Sequence, residues 1–311
     1  MNKLTILIGP PGSGKSTYAK SLENSGYIRI SQDDQGKQGH LDLFKSSMNA
    51  GSDIVVDRMN FDKQQRDKYR LEAIKNGYDV NFVEFVVPRQ ICYDRCMDRE
   101  GHPTINGILG RPVPGDEYSL KHFKDTIDTH KSNSATSALN TFFSRYEEVT
   151  EEEGEVIRIS DKFSSKSAIM VDIDGTLANL DHRLNHVKGE GKKDWGKFFR
   201  ECINDSVYED VRGILEMEFE AGTEVVLCSG RPEDYRKETE EWLAKHNIPY
   251  TALKMRPKIN YKSDDITKAM LYRYEIEPFY NVKYVLDDRD QVVIKWRELG
   301  LNCFQVRPGN F

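Results

Sequence analysis

The sequence lacks any apolar run long enough to span a membrane. A transmembrane helix needs about 20 consecutive apolar residues, and the 311-residue chain, of which 38% is hydrophobic, has no run near that length. The segment before the first glycine-rich loop, residues 1–8, is too short for a secretory leader. We therefore expect a cytoplasmic protein with no membrane partner.

Cysteine is scarce as well. The chain has five cysteines, which are scattered and include no C-x-x-C pair: Cys92, Cys96, Cys202, Cys228 and Cys303. Disulfide scaffolds and zinc sites require regular cysteine spacings. The sequence therefore predicts buried, reduced thiols and neither kind of cysteine site.

The chain also has no excess of basic residues. Its formal net charge is −6, whereas proteins that coat long nucleic acids neutralise many phosphates and are usually basic. We therefore expect that the chain does not coat long nucleic acids. An enzyme that holds only the end of a polynucleotide needs few local cations, so a nucleic-acid terminus remains compatible with this charge.

The pattern of strands and helices occurs twice along the chain. A length of 311 residues predicts about two domains, at roughly 150 residues each. In both halves short apolar runs alternate with helical stretches, which predicts parallel sheets with helical crossovers. The fold class is therefore α/β with two domains, each a three-layer parallel-sheet fold. Polar, serine-rich and acidic segments place the boundary near residue 160, giving domains 1–160 and 161–311.

Residues 9–16 (GPPGSGKS) match the phosphate-binding loop G-x-x-x-x-G-K-[ST] at every fixed position. The loop follows a predicted strand and opens a predicted helix, so backbone N–H groups and a helix N-terminus converge on phosphate. Lys15 is expected to bridge the β- and γ-phosphates of ATP, and Ser16 to bind Mg²⁺. The predicted nucleotide-binding residues of this loop are Gly9, Gly12, Ser13, Gly14, Lys15, Ser16 and Thr17.

A kinase also needs a base for the acceptor hydroxyl and cations for the transferred phosphoryl group. Asp33 follows a second predicted strand and suits the role of base, although Asp-Asp pairs often cap helices. Arg95 and Arg99 lie four residues apart on a predicted helix. Such a pair can close over ATP, although this spacing also suits a solvated helix face.

The second half carries a D-x-D-G-T segment directly after an apolar strand. Asp172 can attack phosphorus, while Asp174 can protonate the leaving oxygen and then activate water. Ser229, Gly230 and Arg231 end the next strong strand and can bind the transferred phosphate. Asp287 and Asp288 end a third strand and can hold Mg²⁺ together with Asp172 and Asp174. A lysine should neutralise this site, and Lys262 is preferred to Lys268.

Together these motifs, in this order, resemble the polynucleotide kinase–phosphatase family, especially its compact phage members. The resemblance implies that Asp33 is the kinase base and that Arg95 and Arg99 form a lid over ATP. It matches a D-x-x-N segment to residues 57–60 and so places Asp57 at the substrate phosphate. The phosphatase half is similar to haloacid-dehalogenase-type phosphatases, which implies that Arg183 also binds the substrate phosphate.

Three positions depart from the family pattern. Gly36 stands where an arginine holds the acceptor's phosphate, and Gln32 also replaces an expected arginine. Lys37 or Arg58 could substitute for them. Asn260 occupies a position where the family tends to have an aspartate. The acceptor pocket is thus the part of the site that the resemblance defines least.

The resemblance implies an enzyme that heals nucleic-acid ends. The kinase would transfer the ATP γ-phosphate to a 5′-hydroxyl of RNA or DNA, and the phosphatase would remove a 3′-phosphate or a 2′,3′-cyclic phosphate. The product suits an RNA or DNA ligase as a functional partner, and the family forms homo-oligomers. A phage-encoded member would act in the host cytoplasm.

Two alternatives stay open at this point. In the first, the same chemistries act on a nucleoside, a nucleotide or another small metabolite, which Gly36 and Gln32 favour. In the second, the kinase half is degenerate and binds nucleotide as a regulatory or scaffold protein. The intact Lys15, Ser16 and Asp33 argue against that second alternative.

Overall fold

The computed structural model describes residues 1–98, 132–150, 152–188 and 192–309. The chain divides into two compact units, Met1–Asp161 and Lys162–Phe311. Each unit contains a five-stranded sheet in which all paired strands run parallel. The predicted α/β class is confirmed. None of the described helices is long and apolar enough to cross a membrane.

The first unit alternates strands with helices. Its strands are β1 (Lys3–Ile8), β2 (Ile28–Ile30), β3 (Ile54–Val56), β4 (Asp79–Val86) and β5 (Val156–Ser160). Its described helices are α1 (Lys15–Glu23), α2 (Gln32–Asn49), α3 (Lys63–Lys75), α4 (Arg89–Met97) and α5, which covers residues 132–145. The strand order across the sheet is β2-β3-β1-β4-β5.

Strand β1 lies at the centre of this sheet. Its residues from Leu4 to Ile8 are all buried, because neighbouring strands pair on both sides and place Ile6 opposite Val56 and Phe82. Central parallel strands are covered on both faces, which explains why β1 reads as a continuous apolar run. The chain therefore leaves β1 at the middle of the sheet's carboxyl edge, where the glycine-rich loop begins.

The second unit repeats this plan. Its strands are β6 (Lys166–Val171), β7 (Ala178–Asn179), β8 (Ser206–Val207), β9 (Glu224–Pro232), β10 (Ala252–Arg256), β11 (Tyr280–Asp287) and β12 (Cys303–Gln305). Its described α-helices are α6 (Trp195–Arg200), α7 (Glu209–Glu220), α8 (Arg236–Lys245), α9 (Asp264–Leu271) and α10 (Asp290–Glu298). Short 3-10 helices cover Asp181–His186, Glu201–Asn204 and Glu233–Tyr235, and a π-helical turn covers Tyr272–Ile276.

The strand order of the second sheet brings three polar strand ends together. The order is β10-β9-β6-β11-β12, with β6 between β9 and β11, and β7 pairs with β8 in a separate antiparallel ribbon. Buried aliphatic side chains such as Ile169, Leu227 and Leu286 form the core below this edge. Ligands of open parallel sheets bind beyond the carboxyl ends of the strands, and that is where Asp172, Ser229 and Asp287 lie.

Candidate active sites

The glycine-rich loop after β1 takes a backbone path that side chains disfavour. Gly9, Gly12 and Gly14 have φ angles of 151°, 83° and 98°. At Gly12 a Cβ atom would also overlap the carbonyl oxygen of Cys92 on α4. The glycines of the motif are therefore required both by the left-handed backbone and by close packing.

Lys15 folds back into the curve of this loop. Its Nζ donates to the carbonyl oxygen of Pro10 at 2.7 Å and to Ser13 Oγ at 3.3 Å, and the side chain is buried. Lys15 is also the first residue of α1, so the N–H groups of Ser16 and Thr17 belong to the first helical turn. The loop thus combines an ammonium group, backbone donors and a helix N-terminus, which together suit a polyphosphate.

Asp57 connects this loop to the start of α2. Its Oδ1 accepts a hydrogen bond from Ser16 Oγ at 3.2 Å, and its Oδ2 accepts from Nε and Nη2 of Arg29 at 2.9 and 2.6 Å. Arg29 in turn donates to Asp34 Oδ2 at 2.7 Å. Asp33, the predicted base, is exposed beside Asp34 in the first turn of α2.

This network suggests a second role for Asp57. A carboxylate beside the Ser16 hydroxyl suits a Mg²⁺ site, since both groups offer the oxygen ligands that this ion prefers, whereas a carboxylate repels phosphate. The assignment of Asp57 to the substrate phosphate stays a prediction. Arg29 was not among the site residues predicted from the sequence.

The remaining predicted kinase residues are less closely grouped. Arg58, which follows Asp57, donates to the hydroxyl of the buried Tyr69 at 3.0 Å. Arg95 lies on α4 with its Nη2 atom 3.7 Å from Asp161 Oδ2. Arg99 lies outside the described residues, so the lid that Arg95 and Arg99 are expected to form over ATP stays a prediction.

Asn60 completes the D-x-x-N segment and has a structural function. Its Nδ2 donates to the carbonyl oxygen of Leu7 at 2.8 Å, and its backbone has a φ of 45°. The adjacent Met59 carbonyl oxygen accepts from Gly9 N at 3.2 Å. The segment therefore ties the end of β3 to the end of β1 and to the glycine-rich loop.

A buried carboxylate cluster lies at the carboxyl edge of the second sheet. Asp172, Asp287 and Asp288 each place an oxygen within 4.8 Å of the others. Lys268 on α9 enters this cluster, with Nζ 2.7 Å from Asp172 Oδ1 and 2.9 Å from Asp287 Oδ2. It also lies 3.6 Å from Asp264 Oδ2, one helical turn away.

Negative charge is in excess within this cluster. Burial and the neighbouring Asp287 raise the pKa of Asp288 to about 7. Burial also raises the pKa of Asp172 well above its usual range, although Lys268 opposes this shift. Burial would lower the pKa of Lys268, but the carboxylates around it, led by Asp172, raise it well above its ordinary value. These residues fit a divalent cation, because hard oxygen ligands and uncompensated charge converge on one point.

Asp174 points into a second cluster, which contains two arginines. Arg231 donates to it from Nε and Nη2 at 3.0 and 2.6 Å, and Arg183 donates from Nη2. Both guanidinium groups are fully buried. Burial alone would raise the pKa of Asp174, but these guanidinium groups, first Arg231 and then Arg183, hold it well below its usual range.

Asp205 is a second carboxylate that accepts hydrogen bonds from both arginines. It accepts from Arg183 Nε and Nη2 at 2.8 and 2.6 Å and from Arg231 Nη2 at 3.2 Å. His182 Nε2 lies 2.8 Å from the same carboxylate. Asp205 sits between a short 3-10 helix and β8, outside any motif, and the sequence analysis missed it.

Two glycines allow the loops of this site to approach each other. Gly175 has a φ of 88°, and a Cβ there would overlap the carboxylate of Asp288. A Cβ on Gly230 would overlap Asp264. Ser229 is fully buried, and its Oγ accepts from Arg231 N at 3.2 Å. The S-G-R segment therefore packs against both clusters.

Sequence comparison matches this site to a known domain. A family model described as the polynucleotide kinase PNKP phosphatase domain matches residues 166–311, which contain both clusters.

Residues 166–311 are therefore similar to a polynucleotide kinase phosphatase domain.

The first half matches a second model, described as an AAA domain, over residues 4–38. That range contains the glycine-rich loop, β2 and the first turn of α2. The match therefore covers Lys15, Ser16 and Asp33, while Asp57 and Arg95 lie beyond it.

Three relatives illustrate the extent of the similarity. An Arabidopsis thaliana protein named transcription factor bHLH140 is 36% identical over 111 residues, which is 32% of this chain and 12% of that protein. A putative bifunctional polynucleotide kinase/RNA ligase of Autographa californica nuclear polyhedrosis virus is 25% identical over 96% of this chain and 41% of that protein. A solved Pnkp1/Rnl/Hen1 complex covers 100% of this chain and 98% of the other, at 26% identity and a TM-score of 0.42.

The chain therefore spans 12% and 41% of the lengths of the two curated relatives. It aligns along nearly its whole length with the viral protein but with only part of that protein. The family model matches the second half of the chain, and the similarity to the viral protein extends over both halves.

Within the phosphatase domain, Lys268 contacts both Asp172 and Asp287. The sequence analysis preferred Lys262 for this place and named Lys268 second. Lys262 lines the same cavity, and its carbonyl oxygen accepts from Arg256 Nη1 at 2.7 Å.

Asn260 also has a defined place in this domain. Its Oδ1 accepts from Lys262 N at 2.9 Å and from Thr267 Oγ1 at 3.4 Å. Asp264 on α9 supplies a carboxylate to this region. Its Oδ1 lies 3.1 Å from Arg256 Nη2, and its Oδ2 lies 3.6 Å from Lys268 Nζ. Although residue 260 is an asparagine, a carboxylate therefore still lies beside Lys268.

Proposed function

We propose that this chain heals nucleic-acid ends, with a 5′-hydroxyl kinase in its first unit and a 3′-phosphatase in its second. The observation that carries the proposal is the buried cluster of Asp172, Asp287, Asp288 and Lys268 within a matched polynucleotide kinase phosphatase domain. The glycine-rich loop in the other unit supports the kinase, because its geometry suits the phosphates of ATP.

In the proposed kinase, Lys15 and the loop N–H groups hold the β- and γ-phosphates of ATP. Ser16 and the nearby Asp57 would hold Mg²⁺, which supplies charge neutralisation when bound. Asp33 accepts the proton of the attacking 5′-hydroxyl. Arg95 and Arg99 keep their predicted role as cations over the transferred phosphoryl group.

In the proposed phosphatase, a carboxylate oxygen of Asp172 forms a bond to phosphorus while the bond from phosphorus to the 3′-oxygen breaks. Asp174 supplies the proton that the leaving oxygen needs, which requires Arg231 and Arg183 to turn from this carboxylate to the substrate phosphate so that Asp174 can carry a proton. It then takes a proton from the water that hydrolyses the aspartyl phosphate. Ser229, Gly230, Arg231, Arg183 and Lys268 would surround the phosphate oxygens. Asp172, Asp287 and Asp288 would hold Mg²⁺, which lowers the charge repulsion around the phosphate.

The partner we propose is an RNA or DNA ligase, because the products of both reactions are the ends that a ligase joins. The viral relative supports this, since its name couples a polynucleotide kinase with an RNA ligase and the chain covers 41% of it. A homo-oligomeric state and a cytoplasmic location stay predictions.

Product analysis of one oligonucleotide tests the function. An oligonucleotide with a 5′-hydroxyl and a 3′-phosphate should lose its 3′-phosphate with Mg²⁺ alone and gain a 5′-phosphate only when ATP is added. The corresponding mononucleotide is the control. If neither end of the oligonucleotide changes, or if only the mononucleotide reacts, the proposed substrate is wrong.

A further inference from the structure

The carboxylate cluster forms only one end of a larger cavity. This cavity, of about 740 Å³, is lined at its reactive end by Asp172, Asp174 and Asp288. A volume of this size is ordinary for a small-molecule site and exceeds what a phosphate group fills. The rest of the cavity must therefore accommodate what the phosphate is attached to.

Aromatic side chains line another part of the same cavity. We call Trp195, Phe199 and Tyr235 the aromatic wall. The rings of Trp195 and Phe199 are stacked, with centroids 5.9 Å apart and planes 25° apart, and Phe199 lies 5.2 Å from Tyr235. Asp194 caps α6 by accepting from Lys197 N at 2.9 Å, which fixes Trp195 as the first residue of that helix.

The aromatic wall is connected to the reactive end through a single buried ring. Phe198 lies between the wall residues in sequence and packs against Trp195 at 5.7 Å. The guanidinium group of Arg183 lies 4.2 Å from the centre of the Phe198 ring, and Arg183 donates to Asp174. The wall therefore begins one side chain away from the groups that face the phosphate.

The exposure of the wall argues against a purely structural role. Trp195 is 49% exposed although it is large and apolar, and aromatic residues with a structural role in a core are usually covered. A second exposed group lines the cavity at Tyr261, which is 90% exposed. Two residues before it, Ile259 has a φ of 62°, a strained conformation for a β-branched residue that is typical of functional loops.

We propose that the aromatic wall binds the base of the terminal nucleoside of a 3′-phosphorylated strand, with the base stacked on Trp195. The inference rests on the proposed function. The scissile phosphate is bonded directly to the terminal sugar, so the base of that nucleotide must lie close to Asp172. Bases stack on exposed aromatic rings with little regard to sequence, which suits an enzyme that repairs any end.

The test compares two single-stranded 3′-phosphate oligonucleotides that differ only in the last nucleotide, which is either complete or abasic. The unaltered chain should release phosphate from the complete end with a kcat/KM about tenfold higher than from the abasic end. Trp195→Ala should remove this difference, mainly by raising KM for the complete end. Trp195→Phe should retain most of it, because the ring is preserved.

Phe219→Ala is the matched control, since Phe219 is an exposed aromatic residue on α7 outside the cavity lining. It should leave both rates unchanged. Equal rates on the two ends with the unaltered chain, or equal loss on both ends with Trp195→Ala, would overturn the inference alone. Release from p-nitrophenyl phosphate but from neither oligonucleotide would overturn the proposed function and the inference with it.

Discussion

At the scale of single residues, Lys268 shows how burial selects a functional group. Two lysines six residues apart offered the same chemistry to the carboxylate cluster, and the path of α9 places Lys268 against Asp172 and Asp287. Sequence spacing gave Asp172, Asp174, Asp287 and Asp288, because each follows a strand that reads clearly. A lysine from a later helix has no such marker.

Replacing this lysine is our first prediction. Lys268→Met should lower the phosphatase kcat on the order of 10²-fold or more, the magnitude expected when a buried group that stabilises developing charge is removed. Lys262→Met should cause a much smaller loss in kcat, although Lys262 lines the same cavity. Steady-state phosphate release measures both, and the opposite order of effects would contradict the assignment of Lys268.

Asp205 is a residue that no motif could reveal, because its partners Arg183 and Arg231 are 22 and 26 residues away in sequence. Its contacts depend on the folded position of β8. Removing one partner of a buried charge cluster is costly, since the remaining charges lose their compensation.

For Asp205→Asn we therefore predict a loss of about 3–5 kcal/mol in the free energy of unfolding. Tryptophan fluorescence during urea denaturation can measure it, because Trp195, Trp242 and Trp296 all lie in the second unit and Trp242 Nε1 donates to the Asp205 carbonyl oxygen. Asp210→Asn is the control, since this exposed aspartate pairs with Arg307 at the surface, where such pairs contribute about 0–1 kcal/mol. Similar losses for both variants would contradict this account.

At the scale of elements, a break in α2 separates the first turn of this helix from its remainder. Its first turn carries Asp33 and is capped by Ser31, whose Oγ accepts from Asp34 N at 3.4 Å. Gly36 has a φ of 74° and a ψ of 179° and interrupts the helix directly after this turn. The first turn can therefore take an orientation set by β2 rather than by the rest of α2.

This break leads to a prediction with a close control. Gly36→Ala should destabilise the first unit by about 1–2 kcal/mol, because a side chain is strained at positive φ, and should lower kinase activity by displacing Asp33. Gly39→Ala should be neutral or stabilising by about 0.5–1 kcal/mol, since Gly39 has ordinary helical geometry and its Cβ would only touch the Gln35 side chain at 3.6 Å. Calorimetry and a kinase assay measure both effects. Equal stability of the two variants would contradict a role for the break.

The strands at the sheet centres and the edge strand β2 could be predicted, while the other edge strands could not. Strands β1, β3, β6, β9 and β11 could be predicted because a central strand is buried on both faces and its sequence contains a continuous apolar run. Strand β10 buries only Leu253 and Met255, and β12 has three residues with Cys303 alone buried. Such short elements form because a neighbouring strand offers hydrogen bonds, which is information that the local sequence does not contain.

At the scale of the whole molecule, the chain has two units, and in each a central strand ends at the arrangement that we propose binds phosphate. In the first unit the arrangement is a backbone loop around Lys15, and in the second it is a carboxylate cluster around Lys268. The two arrangements differ in the number of carboxylates that they bury. The second cluster contains buried carboxylates whose pKa values are raised by burial and by one another.

Mg²⁺ should therefore stabilise the second unit in particular. We predict that it raises the Tm recorded by tryptophan fluorescence, by about 2–4 °C for each kcal/mol of binding free energy in a unit of this size. Asp288→Asn should reduce the response, because it removes one ligand of the cluster. An equal Tm with Mg²⁺ and with a chelator would contradict a metal site there.

The most direct test of the account is the separation of the two activities by single substitutions. On a 5′-hydroxyl, 3′-phosphate oligonucleotide with ATP and Mg²⁺, Lys15→Ala should abolish 5′-phosphate transfer and leave 3′-phosphate release intact. Asp172→Ala should do the reverse, with unchanged circular dichroism for both variants. If either substitution in a folded protein removed both activities or neither, the account of two independent phosphate sites would be contradicted.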